Sequence, residues 1–186
     1  ISLCENKFSR SLAGDGVSSV RTSEQCWCQD KKCTSDKVVK SIEERVSNLV
    51  NFSYLNSEYM QILKYEKEQF YKLHHDQNSP HSSPQGPRVF TFFMYLNSVE
   101  EGGETEFPKL NISIKPVKNN AILWNSVISN NIDETSTYHE AKPVLKGEKY
   151  AANIWYHSGD FRTHHSLGCT NHVPHYVPTS IKKDEL

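Results

Sequence analysis

The chain contains no long apolar run. No stretch approaches the ~20 consecutive residues that a membrane-crossing helix needs, so no membrane span is expected. A charge excess is missing as well. The 21 Lys and Arg face 22 Asp and Glu, a net charge of -1, which offers no electrostatic footprint for nucleic acid or for an anionic membrane surface. The alternation of strands and helices that builds parallel α/β sheets is also absent. Hydrophobic residues make up 36% of the 186 positions, which suits one polar-surfaced globular core. The chain begins at Ile1, without Met or a recognisable signal peptide, as expected of a processed or trimmed form.

Cysteine is sparse but informative. Cys4, Cys26, Cys28, Cys33 and Cys169 suit a disulfide-permissive compartment, and the odd count leaves at least one thiol free or intermolecular. Cys26-x-Cys28-x4-Cys33 also reads as a metal cluster, but less well, because a structural zinc site takes four ligands and no fourth is nearby. Two sequons, Asn51-Phe52-Ser53 and Asn111-Ile112-Ser113, are candidates for glycosylation. The last four residues, Lys183-Asp184-Glu185-Leu186, match the retrieval signal of the endoplasmic reticulum. They point to the lumen of that organelle and to a KDEL-type retrieval receptor as a partner.

Hydrophobic periodicity places the elements. Leu12 to Ser23, with Gly14-Asp15-Gly16, reads as a turn-bearing loop. Val38, Val39, Ile42, Val46, Leu49 and Val50 follow the 3.6-residue period and predict a helix capped by Ser35 or Asp36. Glu58 to Tyr65 alternates and predicts a strand, with Tyr59, Leu63 and Tyr65 on one face and Met60 and Ile62 on the other. The Pro- and Ser-rich segment 77–87 has no regular structure and is placed to act as a lid. Arg88 to Leu96 reads as a buried strand and Ala121 to Trp124 as a short one. Lys149 to His157 alternates, so Lys149, Ala151, Asn153, Trp155 and His157 share one face. The His-rich remainder from Ser158, with His164, His165, His172 and His175, reads as a solvated tail. One domain is therefore expected over residues 1–160, with a tail over 161–186.

The chemistry centres on Tyr71-Lys72-Leu73-His74-His75-Asp76. In an extended strand residues two apart share a face, so His74 and Asp76 reach one metal while His75 points away. His139 is the third candidate ligand. Two His and one carboxylate on one side of a metal leave three coordination positions open, the arrangement of non-haem Fe(II) oxygenases. Lys149, ten residues on, supplies a cation for the far carboxylate of a 2-oxo acid.

With its surroundings the pattern resembles the prolyl 4-hydroxylase family of Fe(II)/2-oxoglutarate dioxygenases. The resemblance runs through Arg21-Thr22-Ser23, Tyr65, His74-x-Asp76, Arg88 to Leu96, and Glu100 to Pro108. It continues at His139 with Pro143-Val144, at Gly147-x-Lys149 and at Trp155-x-His157, about 135 residues in all. It implies a mainly β fold with supporting helices, a double-stranded β-helix or jelly roll, whose first element may begin upstream of Ile1. It implies Fe(II) on His74, Asp76 and His139, and 2-oxoglutarate held by Lys149 with Tyr65 and Thr105. It also implies O2 as co-substrate, ascorbate as reductant and room for a partner subunit. Arg88, Trp155 and His157 are the residues it places against a Pro-rich or collagen-like peptide, whose prolines would be 4-hydroxylated. A related oxygenase acting on another residue such as lysine, and a non-catalytic jelly-roll binding module, are the alternatives.

Overall fold

The computed structural model describes residues 1–13, 18–77, 79–129 and 132–170. Two antiparallel sheets face each other. The larger has six strands in the order β1 (Ser9–Arg10), β2 (Glu24–Trp27), β3 (Gln61–Tyr65), β12 (Lys149–His157), β5 (Arg88–Tyr95) and β9 (Ala121–Asn125). The smaller runs β4 (Tyr71–His74), β10 (His139–Ala141), β7 (Thr105–Phe107) and β8 (Ile112–Ile114). A two-stranded ribbon pairs β6 (Glu101–Gly102) with β11 (Val144–Lys146). This is the expected jelly roll.

Each face of the larger sheet is covered by something different. Leu63, Tyr65, Phe93, Tyr95, Trp124 and Ala151 pack inward against Phe107 and Val144. Met60, Ile62, Ala152, Ile154 and Tyr156 pack outward against Val39 and Val46 of helix α2 (Lys37–Val50). Strand β12 sits at the centre with both faces covered, so eight of its nine residues are buried. A parallel sheet is not needed for that, only two covering layers. The Ser47 hydroxyl meets the Tyr156 hydroxyl at 2.8 Å and ties the helix to this strand.

Helix α2 begins where Asp36 accepts hydrogen bonds from the amides of Val38 and Val39, the N-cap expected from the sequence. Its buried stripe is narrower than the apolar pattern: Val39 and Val46 are buried, whereas Val38 and Leu49 are 66% and 62% exposed. Glu43 and Ser47 fill the core-facing rows instead, because Glu43 is bound by Arg162 and Ser47 by Tyr156. Strand β9 is an edge strand in which Trp124 alone is fully buried, since no strand lies beyond it.

Cys4 is bonded to Cys26, and Cys28 to Cys33, the latter in the short helix α1 (Lys31–Thr34). This rules out the metal-cluster reading of these cysteines. Cys169 is free and exposed. The solvated tail expected from Ser158 is corrected over its first part. Residues Phe161–Ser166 form helix α3, whose Phe161 and His165 are buried and stacked together, with Tyr59 against His165. The domain therefore continues past residue 160, because Phe161 supplies an apolar anchor. The Gly14-Asp15-Gly16 turn, His172, His175 and the terminal tetrapeptide lie outside the described residues.

Candidate active site

Strands β4 and β10 pair so that His74 and His139 stand directly opposite. Asp76 follows just past the end of β4, in a bend, so the shared-face argument holds although the strand stops at His74. One ligand atom from each of the three lies within 4.8 Å of the others. Both histidines use the same local device. Nδ1–H of His74 donates to the Lys72 carbonyl at 2.8 Å, and Nδ1–H of His139 donates to the Thr137 carbonyl at 2.9 Å. Each Nε2 is thereby left as a lone-pair donor turned to the centre, 3.7 and 3.8 Å from Oδ1 of Asp76. The other carboxylate oxygen accepts from the Thr91 hydroxyl at 2.6 Å. His75 turns away and bonds the Glu134 carbonyl at 3.1 Å.

Titration favours the ligand forms. Burial, with His139 beside it, pushes His74 down to about 3, so the ring is neutral near pH 7. Burial alone would raise the Asp76 carboxyl, but His139, His74 and the Thr91 hydroxyl outweigh it and hold it at about 2. Two imidazoles that turn Nε2 to the centre and an ionised carboxylate, on one side of a cavity, are the donor set of a non-haem iron centre. Tyr71 stacks on the His74 ring at 3.6 Å and Trp124 meets His139 edge-on at 4.8 Å, which fixes both rings.

Lys149 opens β12 opposite Tyr65 and is fully buried. Its Nζ donates to the Gly103 carbonyl at 2.7 Å. The rings of Tyr65, Phe93 and Tyr95 surround it at 5.2 to 5.5 Å. It forms no salt bridge among the described residues, and burial lowers its ammonium to about 7. A buried cation of this kind is costly until an anion reaches it. Gly102-Gly103 shapes the carbonyl that meets Lys149. At Gly102, with φ of +76°, a Cβ would stand 2.3 Å from the Pro143 carbonyl oxygen, so no other residue fits that turn. Thr105 is buried beside this pocket, and its hydroxyl accepts from the Tyr95 hydroxyl at 2.7 Å.

The metal-ligand triad, Tyr65, Thr105, Arg88 and Trp155 all line one cavity. Lys149 stands against Tyr65 and Phe93, two of the lining rings. The Arg88 guanidinium lies 4.3 Å over the Trp155 ring, and its Nη1 donates to the Asp76 carbonyl at 3.2 Å. His157 is not brought to the cavity wall. His157 pairs with Arg88 just past a slip in the ladder between β12 and β5, where Val89 is the extra residue on β5. Its ring instead bonds the Gly86 carbonyl at 2.8 Å and Oε1 of Glu58 at 2.9 Å. The same Glu58 oxygen accepts from Nε of Arg88 at 2.5 Å. Burial would raise the Glu58 carboxyl, but Arg88 and His157 lower it to about 2. The segment 77–87 is accordingly packed rather than loose at its end, with Gln85 buried and Gly86 tied down.

Sequence reasoning missed several cavity residues. Trp27 and Gln25 come from β2, Gln61 from β3 and Asn153 from β12. Gln61 donates to Gln25 at 2.6 Å and accepts from Asn153 at 3.3 Å. Arg21 lies 4.6 Å over the Tyr71 ring. Strand phase could have found Gln25 and Trp27, since both alternate with the cystine-bonded Cys26. Glu58 carries a weaker sign, a lone acid at the mouth of an apolar strand.

Comparison with known proteins agrees with this geometry. The model of the 2OG-Fe(II) oxygenase superfamily matches residues 60–157, more than half of the chain. Prolyl 4-hydroxylase subunit alpha-3 of Bos taurus is 34% identical over 166 residues, which cover 83% of this chain and 30% of that protein. Prolyl 4-hydroxylase 2 of Arabidopsis thaliana is 31% identical over 190 residues, covering 87% of this chain and 62% of that one. The chain thus spans less than two thirds of the length of these curated relatives. Among solved structures, the viral collagen prolyl hydroxylase of Paramecium bursaria Chlorella virus-1, solved as its 2OG complex, superposes with a TM-score of 0.65 at 31% identity. That match covers 74% of this chain and 80% of the viral one. A Trichoplax adhaerens prolyl hydroxylase shares the fold with a TM-score of 0.65 at 20% identity. The chain belongs to the 2OG-Fe(II) oxygenase superfamily and, within it, to the prolyl 4-hydroxylase family.

Proposed function

We propose that this chain is the catalytic domain of a peptidyl-proline 4-hydroxylase that uses Fe(II), 2-oxoglutarate and O2. The observation that carries this reading is one cavity holding three convergent metal-ligand atoms, a buried ammonium against its wall that forms no salt bridge among the described residues, and an indole capped by a guanidinium. Fe(II), when bound, supplies the redox chemistry that couples conversion of 2-oxoglutarate and O2 to succinate and CO2 with hydroxylation of a substrate C–H bond.

The residues of the chain have separate duties. His74, Asp76 and His139 hold the metal, and the Lys72 and Thr137 carbonyls and the Thr91 hydroxyl aim them. Lys149 takes the distal carboxylate of 2-oxoglutarate, with Thr105 and Tyr65 beside it. A charge-assisted bond in so dry a pocket is stronger than the same bond at a surface. Tyr65, Phe93 and Trp124 exclude water from the reacting groups. Arg88 and Trp155 bind the peptide: the indole gives a flat apolar face to a proline ring, and the guanidinium lies over that indole at the cavity wall. An extended Pro-rich peptide suits this site because its carbonyls are free and its backbone is already stiff. His157 acts from behind, by holding Glu58 and Gly86.

Ascorbate is the reductant expected to sustain turnover, and a partner subunit is a further expectation from the resemblance. Lys183-Asp184-Glu185-Leu186 acts as a retrieval address when it closes the polypeptide, and the KDEL-type receptor is its reader. The two disulfides support a lumenal location, since such bonds persist in oxidising compartments.

The test is turnover. Succinate formation is measured with poly-L-proline, a Pro-Pro-Gly repeat, a scrambled peptide of equal proline content and a lysine-containing peptide, and product mass is mapped. Hydroxylation at proline is expected. Turnover of the lysine peptide alone would overturn the assignment. Removing the last four residues from a signal-bearing form should release the protein into the medium, and continued retention would remove the tetrapeptide from that role.

A further inference from the structure

We infer that Trp27 is a second ring-binding residue of the substrate site, placed there by the two disulfides that flank it. Its role is to select peptides in which the target proline has another proline beside it. The inference rests on the proposed hydroxylase reading.

Trp27 ends strand β2 and lines the cavity together with Gln25. Its ring lies 6.0 Å from that of Trp155, tilted by 42°. The spacing is too close for a proline ring to enter between the indoles, so the two form one continuous wall. The Arg88 guanidinium extends that wall over Trp155. A polyproline II peptide repeats every ~3 residues and rises ~3.1 Å per residue, so its rings follow one another along such a wall. One indole takes the ring to be hydroxylated and the other takes a neighbouring ring.

The location of Trp27 needs an explanation, because the strand is poorly supported there. Strand β1 pairs with Glu24 and Gln25, so among the described residues Cys26 and Trp27 have no strand partner on that side. Unpaired strand ends fray. Here the side chains that alternate with Trp27 are covalently held. Cys26 is bonded to Cys4 and Cys28 to Cys33, and all four lie in the core layer under helix α2. Backbone pairing with β3 continues on the other side, where the Cys28 amide donates to the Met60 carbonyl at 2.9 Å. The sequence Cys26-Trp27-Cys28 therefore points one aromatic ring into the cavity and anchors it through both neighbours. The Cys28–Cys33 bond closes a loop with a sequence separation of only 5. So short a loop stabilises through the unfolded chain less than a long one would, and it adds local positioning of the Trp27 backbone.

The experiment uses the whole chain with two peptides of equal length, one with adjacent prolines and one with a single isolated proline. Trp27→Leu keeps apolar bulk and removes the aromatic face, Trp27→Phe keeps a ring, and Cys28→Ala with Cys33→Ala removes one of the two anchors. For Trp27→Leu we expect the KM of the adjacent-proline peptide to rise by about tenfold. The KM of the isolated-proline peptide should rise far less, so that discrimination between the two peptides falls; about tenfold corresponds to one well-made aromatic contact. Trp27→Phe should restore most of the difference, and the double cysteine variant should fall between. Equal changes for both peptides, or a fall in kcat at constant KM, would overturn the inference. If the parent chain oxidises no proline in either peptide, the hydroxylase reading fails first, and that failure is distinct from loss of discrimination by Trp27.

Discussion

The metal-ligand triad and the Arg88 network occupy the same cavity but are held in opposite ways. His74 and His139 each bond a carbonyl two residues back, so each ring is aimed by its own strand. Arg88 is held by Glu58 across 30 residues, and His157 by Glu58 across 99 and by Gly86 across 71. The triad is a local construction brought together by one strand pairing. The Arg88 network exists only after the fold has closed. Where a functional side chain is anchored by nearby backbone, its role can be inferred from spacing; where it is anchored by a distant side chain, it cannot.

The sharpest test of this contrast is to remove the triad. His74→Ala, Asp76→Ala and His139→Ala should each reduce Fe(II)-dependent turnover below detection while circular dichroism and thermal unfolding stay near the parent, because the two histidines are aimed by local bonds and the Asp76 carboxylate by the Thr91 hydroxyl. A folded variant that kept its turnover would take that residue out of the site.

Next in size is Lys149→Ala, which should raise the 2-oxoglutarate KM on the order of a hundredfold, since a buried carboxylate loses a counter-charge worth about 3 kcal/mol. The same residue gives a pH signature. Its ammonium lies at about 7 in the free protein, so it is charged below that pH and increasingly neutral above it. Between pH 7 and 9 affinity for the dianion should fall by up to about tenfold per unit, because the lysine must take up a proton to bind. A flat Kd across that range, measured by calorimetry, would place the co-substrate elsewhere.

Glu58→Gln probes the other side of the comparison. It keeps the shape and removes the charge that holds both Arg88 and His157. We expect a stability loss of about 2–3 kcal/mol in urea titration together with a severalfold rise in peptide KM, and no change in Fe(II) affinity. A change in Fe(II) affinity would show that the two constructions are coupled. The smallest effect is expected for Thr91→Val, which strips the hydrogen bond from Asp76. A loss of about tenfold in Fe(II) affinity, with stability nearly intact, is the outcome typical of a group that only orients a ligand.

The same contrast explains what the sequence disclosed. The helix at Lys37–Val50, the strands β3, β5 and β12, and the inward phase of Lys149, Asn153 and Trp155 follow from periodicity, because two covered sheet faces enforce it. The pairing of His74 with His139 was legible as chemistry, not as geometry, since 65 residues of chain separate them. Val38 and Leu49 match the apolar period yet face solvent, as Glu43 and Ser47 found partners that no spacing reveals. His157 shares the strand phase of Trp155 in the sequence, yet its ring is taken up by Glu58 and the Gly86 carbonyl. Strand phase was the one sign for Trp27 and a lone acid beside an apolar strand the one sign for Glu58; their partners, Trp155 and Arg88, appear only in three dimensions.

Strand β12 carries Lys149 and Trp155 on one face, six residues apart. At ~3.3 Å per residue this fixes their attachment points about 20 Å apart. The strand is a ruler between the proposed co-substrate anchor and the proposed peptide wall. Because its alternate residues are committed to the helix-covered layer, adding or deleting one residue within it would exchange the two faces. Ala152, Ile154 and Tyr156 would then turn into the cavity. The distance between the two binding functions is therefore frozen in this protein, and changes in the length of substrate it accepts have to come from the loops around the cavity.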